Sequence, residues 1–296
     1  MIRVVLQGRT GNNFFQYAAA RWLARKHATE VVLDGSWLRP RNWAQTRVMR
    51  DLSLRARIGR WPLWIGPAMR VIAGKHPSEI SANCVYREST SDSTFDPSFQ
   101  ELPDGTLLVG YFQSHYYFPD MRSLLQEEIN IRDMPMDHQT AETARKIIAE
   151  NAVSIHVRRG DFIHFKSLDV CTPAYYDQAV AHAKDRLASP TFWIFSDDIP
   201  WCRAHFHGSE FHFVDLPESR TNPLNDMRLM SLASHHVIAN SSYSWWAAWL
   251  HWQPRKLVIV PHAWLLGTGK IPIEEKIENG WFILNTGIER QPGHLQ

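Results

Sequence analysis

Much of what chemistry commonly leans on is missing from this chain. It has three cysteines, Cys84, Cys171 and Cys202, and no Cys-x-x-Cys pair, which argues against a cysteine zinc site or a dithiol centre. Widely spaced and odd in number, they read as reduced thiols in a cytosolic setting. There is no Asp-x-Asp, the spacing with which two carboxylates chelate a divalent ion beside a diphosphate, so no metal site is expected. Charge of one sign is lacking too: 32 Lys and Arg stand against 30 Asp and Glu, a net +2. That balance gives no field for collecting nucleic acid or anionic membrane, so any anion bound here is bound locally. No apolar run is long enough to cross a bilayer. The longest weakly polar stretch, Trp61 to Ala73, is broken by Pro62, Gly66 and Pro67. It reads as a packed loop and helix, with contact at a membrane surface as the alternative. The opening residues, MIRVVLQGRTGNNFF, read as a first β-strand rather than a leader.

What is present is an α/β rhythm. A chain of 296 residues that is 44% apolar lies where one core usually splits in two. Ile2 to Leu6 is a short branched strand, Gly8 to Gly11 a turn, Phe14 to Lys26 a helical pattern, and Val31 to Leu33 a second strand ending at Asp34. Strand, helix, strand in that order requires a mostly parallel sheet covered by helices. Residues 35–105 carry no readable pattern. Thr106 to Val109 predicts a strand leading into Gly110-Tyr111-Phe112-Gln113, a helix follows from about Pro119 to Ile129, and Met134 to Gln139 reads as a linker. Strands are then predicted at 152–157, 191–195, 211–214, 236–239 and 256–260, with helices at 173–187, 224–234 and 245–252. Strand ends that open into polar loops are where such sheets bind ligands.

Three strand ends carry chemistry. Val153 to Val157 is an apolar strand that ends in His156, Arg158, Arg159, Gly160 and Asp161. Alternation puts His156 and Arg158 on one side. Arginine at such an edge can clamp a diphosphate bidentately, and Gly160 lets the backbone approach it closely. A buried Arg–Asp pair holding a loop is the competing reading. The second end is Phe195-Ser196-Asp197-Asp198, whose carboxylates either accept hydrogen bonds from a base or ribose or, in Asp198's case, cap the next helix. The third is Asn240-Ser241-Ser242-Tyr243-Ser244-Trp245-Trp246. Hydroxyls at a helix start make an anion site; an ordinary serine cap with core tryptophans is the alternative.

In this order the three segments resemble the bacterial GDP-fucose-dependent α-1,2-fucosyltransferases (glycosyltransferase family 11-like). His156 to Asp161 matches an HxRRGD-type motif, Phe195 to Asp198 an FSDD-like motif, and Asn240 to Trp246 an NSSFSWW-type motif. Gly11 to Tyr17, Gly110 to Ser114, Tyr175-Tyr176 and Asp226 to Ser231 add to the likeness, which covers most of the chain outside about 40–105. Asn13 and Phe14 depart from the usual GNQMFQY, and Tyr243 stands where Phe is usual, an exchange that should be tolerated.

The resemblance implies a GT-B-like architecture: two Rossmann-like domains with a cleft between them, an acceptor-side domain over 1–138 and a GDP-fucose-binding domain over 139–296. It implies inverting transfer of L-fucose, without metal or cofactor, to the 2-OH of a galactoside, such as a galactose-terminated oligosaccharide or lipid-linked glycan. The setting is O-antigen or cell-surface glycan synthesis, in the cytoplasm or peripherally at the inner face of the membrane. By similarity Arg158 neutralises the leaving diphosphate, and His156 and Asp161 organise the loop and ribose region. Arg159, Ser196, Asp197 and Asp198 lie on the donor, the latter two at guanine. Asn240 and Ser241 also lie on the donor, Ser242, Tyr243 and Ser244 line the phosphates, and Gly11 and Asn12 reach the donor from the opposite domain. Asp34 and Asp161 are candidates for the general base. Two readings compete: an α-1,6- or protein-O-fucosyltransferase-like enzyme, and a module that binds nucleotide or glycan without turnover.

Overall fold

The computed structural model describes residues 1–36, 38, 42, 46–59, 84–89, 94–160, 162–251, 253, 255–266 and 273–285. The 61–73 stretch and Asp161 lie outside these. The chain divides into two compact units, Met1–Asn130 and Ile131–Gln296. The expected boundary falls a little later, in the Pro135 linker. The division comes earlier because the 3-10 turn Ile131–Asp133 packs on a helix of the second unit, Asn225–Leu232.

The first unit contains β1 (Ile2–Val5), α1 (Thr10–Lys26), β2 (Val31–Asp34), β3 (Ala56–Gly59), β4 (Cys84–Arg87), β5 (Thr106–Val109) and α2 (Arg122–Glu128). Its strands form one sheet in the order β3-β2-β1-β5-β4, and every pairing is parallel. Strands β1 and β5 are buried on both faces, as short branched runs in a helix-covered sheet must be. Helix α1 starts one turn earlier than its apolar pattern, because Gly8 takes a left-handed φ of 73° and brings the chain round to Thr10.

The second unit contains α3 (His138–Ala149), β6 (Ala152–Val157), α4 (Pro173–Arg186), β7 (Thr191–Ser196), α5 (Ile199–His205), β8 (Phe211–Val214), α6 (Pro217–Thr221), α7 (Asn225–Leu232), β9 (His235–Val237), α8 (Ser242–Leu250), β10 (Val258–Pro261) and β11 (Phe282–Leu284). The strand order is β11-β10-β9-β6-β7-β8, again parallel throughout. Strands β6, β7 and β8 step outward one way, then β9, β10 and β11 step the other. The order therefore reverses between β6 and β9, and loops leaving that point diverge to leave a ligand crevice. Two of the three motifs, at the ends of β6 and β9, flank this reversal. Both units are thus Rossmann-like α/β folds. Under the second sheet Val153, Ile155, Val157, Tyr175, Tyr176, Phe192 and Ile194 form the core. Trp245 and Trp246 of α8 are also buried, the ordinary core role for that aromatic pair.

Candidate active site

At the end of β6 the chain turns through Arg158, Arg159 and Gly160 over the loop that leaves β7. Arg158 Nη1 lies 2.5 Å from Asp197 Oδ2, with the side chains 18% and 26% exposed. The other oxygen, Asp197 Oδ1, accepts the backbone N–H groups of Arg159 (2.9 Å) and Gly160 (3.1 Å). A Cβ at residue 160 would sit 2.4 Å from Asp197 Oδ2, so the glycine is required by this embrace. Arg159 Nε donates to Asp198 Oδ2 at 3.1 Å, and its guanidinium lies 4.3 Å from the centroid of the Trp201 ring. Asp198 also caps α5 by accepting from Trp201 N–H, and Ser196 Oγ accepts from Asp198 N–H at 2.9 Å.

The sequence reading places Asp197 and Asp198 at guanine; the structure shows what they touch within the protein. Both carboxylates are engaged by the arginine loop and the α5 cap, where they position guanidiniums. The competing expectation of Arg–Asp pairing is met in part: the pairs form, but at the open strand ends rather than in the core, so each arginine is held in place without being sealed off.

Behind the loop His156 is 7% exposed, and its ring centroid is 5.7 Å from that of Tyr243. Burial, then repulsion from Arg158, lowers its pKa from 6.5 to about 4, against the pull of Asp197. The imidazole is neutral at pH 7 and serves as a packed wall beside the arginines.

At the end of β9 the structure divides the motif by role. Asn240 Nδ2 donates to the carbonyls of Leu168 (3.1 Å) and Trp264 (3.0 Å), and Cys171 donates to its Oδ1. The side chain therefore ties loops together. Ser244 is buried and donates to Ser241 O. Ser241 caps α8 through Tyr243 N–H, and Ser242, at the first helical position, is half-buried. The Tyr243 hydroxyl points inward, donating to Pro223 O at 2.6 Å and accepting from Met227 N–H at 2.9 Å. Those two bonds are why Tyr fits where Phe is usual. Tyr243→Phe should lower unfolding free energy by about 1–2 kcal/mol, the cost of two unpaired backbone groups, as read by urea denaturation. An unchanged midpoint would refute the bonds.

Asp226 opens one of the family-like segments, but the sequence reading gave it no role. It lies on the first turn of α7, beside Tyr243, and burial lifts its pKa from 3.8 to about 6, against the hydrogen bond from Ser219 and with Asp215 adding to the rise. A lone Asp on a helix's first turn reads as a dipole partner, so only the fold reveals its nearness to the site.

Gly11, Asn12 and Asp34 belong to the first unit. Asp34 is 3% exposed, and its Oδ1 accepts from the Ser36 N–H (3.0 Å) and hydroxyl (2.5 Å). Its carboxylate thus closes a turn at the end of β2. Asn13 departs from the usual pattern but is fully buried, donating to Gln7 O and Gln16 Oε1 and accepting from the Thr46 hydroxyl. Among the described residues no cluster of three or more His, Cys, Asp or Glu could hold a metal ion, no helix is long and apolar enough to cross a membrane, and the three cysteines are free thiols.

The paired arginines follow β6 and the capped start of α8 follows β9, the two strands at which the order of the parallel sheet reverses. The chain belongs to glycosyl transferase family 11, whose sequence model matches residues 90–265. It is 35% identical over 162 residues to an alpha-1,2-colitosyltransferase of Escherichia coli, covering 53% of this chain and 55% of that protein. The O-antigen biosynthesis glycosyltransferase WbnK of Escherichia coli is 26% identical over 292 residues, 90% of this chain and 95% of its own. Galactoside alpha-(1,2)-fucosyltransferase 1 of Leontocebus fuscicollis is 22% identical over 199 residues, 63% of this chain and 54% of its own. The chain thus spans about half the length of the first and third of these relatives.

Proposed function

We propose that this glycosyltransferase moves L-fucose from GDP-fucose to the 2-OH of a galactoside, with inversion and without metal, in the synthesis of O-antigen or a similar surface glycan. The observation that carries the reading is Arg158, pre-oriented by Asp197 at the β6–β9 reversal. As the bond from fucose C1 to the diphosphate oxygen breaks, negative charge grows on GDP. Arg158, Arg159 and the α8 N-terminus with Ser241 and Ser242 are fixed donors for that charge, and they need no reorganisation at the moment of reaction. Asp197 and Asp198 hold the guanidiniums, and Tyr243 and His156 shape the wall behind them. The acceptor oxygen attacks C1 from the opposite face and gives up its proton to a base, for which Asp161 is the candidate from this loop. Two relatives whose names carry a 1,2 linkage support the regiochemistry, and the WbnK name supports the O-antigen setting. We place the reaction in the cytoplasm or at the inner face of the membrane.

The decisive experiment incubates the protein with GDP-fucose and a panel of β-galactosides, followed by linkage analysis of the product. Activity should persist in excess EDTA. A strict Mn²⁺ or Mg²⁺ requirement would overturn the metal-free mechanism, and an α-1,6 product the regiochemistry. The colitosyltransferase match favours one second reading, in which the transferred sugar is colitose. Competition between the two activated sugars decides it by the ratio of kcat/KM.

A further inference from the structure

The first unit has a strand-order reversal of its own, the place where open α/β sheets bind ligands. Its strand order reverses between β1 and β5, and the segments leaving those strands, Gly8 to Asn12 and Gly110 to Gln113, flank the reversal. The second of these segments is held in a conformation that costs energy. Phe112 has a φ of 52°, a left-handed backbone that a bulky side chain rarely adopts. Its ring is fully buried, with centroids 5.2 Å from Tyr117, 5.9 Å from Phe99 and 6.3 Å from Tyr86. Glu88 Oε2 accepts both the Tyr111 N–H (2.6 Å) and the Phe112 N–H (2.8 Å). Gln16 Nε2 donates to Gly110 O at 2.8 Å. A Cβ at residue 110 would lie 2.5 Å from Glu88 Cβ, so only glycine lets the carboxylate reach its two donors. Gln113 Nε2 in turn donates to Asn12 Oδ1 at 2.8 Å, joining the two segments.

The consequence of this brace is the position of Tyr111. With Phe112 anchored in the core and the backbone turned left-handed, the preceding ring is left 41% exposed. A strained loop that leaves an aromatic ring partly exposed, two residues before an amide paired with Asn12, is where a functional site is sought. A flat ring offers the apolar C–H face of a pyranose a stacking surface, and amides suit its hydroxyls.

We propose that Tyr111 is the stacking platform for the acceptor hexopyranoside, with Glu88 as the positioning residue and Gln113, oriented by Asn12, as the hydroxyl-reading edge. This rests on the glycosyl-transfer reading of the protein and deepens it by naming where the acceptor is read.

The test pairs saturation-transfer NMR with kinetics on the full chain. Methyl β-galactoside and lactose are the probes, and the proteins are wild type, Tyr111→Ala and Tyr111→Phe. Wild type should saturate the sugar C–H protons, Tyr111→Ala should weaken that signal at least fivefold, and Tyr111→Phe should retain it. The KM for the galactoside should rise tenfold or more in Tyr111→Ala while the KM for GDP-fucose stays within twofold and the melting temperature is unmoved. Equal saturation in Tyr111→Ala, or none from either sugar in wild type, would overturn the proposal. Failure of the fucosyl-transfer reading shows separately, as no GDP release from GDP-fucose by wild type while the NMR contrast still reads the sugar site.

Discussion

Arg158→Ala will lower kcat/KM for GDP-fucose about a thousandfold, a loss of roughly 4 kcal/mol of transition-state stabilisation. Most of that should appear in kcat, because the guanidinium meets charge that develops only as GDP departs. The structure supplies a competing account that the experiment must defeat. Arg158 is paired with Asp197, and Asp197 also accepts the Arg159 and Gly160 N–H groups, so the mutation could act by slackening the loop. Arg158→Lys separates the two. Lysine restores a charge opposite Asp197 but not the planar fork that clamps a diphosphate. If the arginine acts on the nucleotide, Arg158→Lys should recover the melting temperature yet keep under a tenth of the activity. Recovery of both would reduce Arg158 to a structural pair. Release of GDP without acceptor gives the same reading free of acceptor effects, and Arg158→Ala within tenfold of wild type would remove the central residue of the mechanism.

The same residues show where sequence logic reaches and where it stops. Strand β6 was legible because six consecutive residues are buried on both faces, as a central parallel strand demands. The abrupt change from apolar strand to Arg158-Arg159-Gly160 marked the ligand edge equally well. Strands β3 and β4 were not legible: Ala56–Gly59 and Cys84–Arg87 are short sheet edges, only half-buried, with Arg57 and Arg87 among four residues each. No apolar run or clean alternation survives there to be read. Within the site, a motif identifies neighbours but not orientations. Ser242 and Ser244 look alike in sequence, yet one lies half-buried on the first turn of α8 and the other is buried against Ser241 O. Asp226 and Trp201 join the cluster only through tertiary packing, against Tyr243 and Arg159 respectively, and no local pattern encodes that.

The second large effect is on stability. Lowering the pH from 7.5 to 5.0 should cost at least about 3 kcal/mol of unfolding free energy, a large share of the 5–15 kcal/mol typical of a folded domain. Three histidines in the second unit are buried with a ring nitrogen that has no hydrogen-bond partner among the described residues: His156 Nδ1, His236 Nε2 and His251 Nδ1. Burial is the first cause of lowered pKa in each. For His156 and His251 the value falls from 6.5 to about 4, with Arg158 adding to the first and Arg132 and Lys256 to the second, against hydrogen bonds from the His251 ring to the backbone of Ala233 and Ser231. His236 is driven well below its usual value, with Lys256, His251, His235 and Arg132 facing it. A histidine whose pKa is depressed by folding binds protons better when unfolded. Its contribution is therefore intact above about pH 6.5 and drains away as pH falls toward 4. At pH 5 that is about 2 kcal/mol each for His156 and His251, and His236 adds with the same sign. Asp226 works the other way. Folding raises its pKa to about 6, so protonation near pH 5 returns about 1 kcal/mol to the folded state. Urea midpoints at the two pH values measure the balance, and His251→Gln should recover about 2 kcal/mol of the difference. A midpoint that holds steady or rises at pH 5 would mean that raised carboxylates, not buried imidazoles, govern the acid limb.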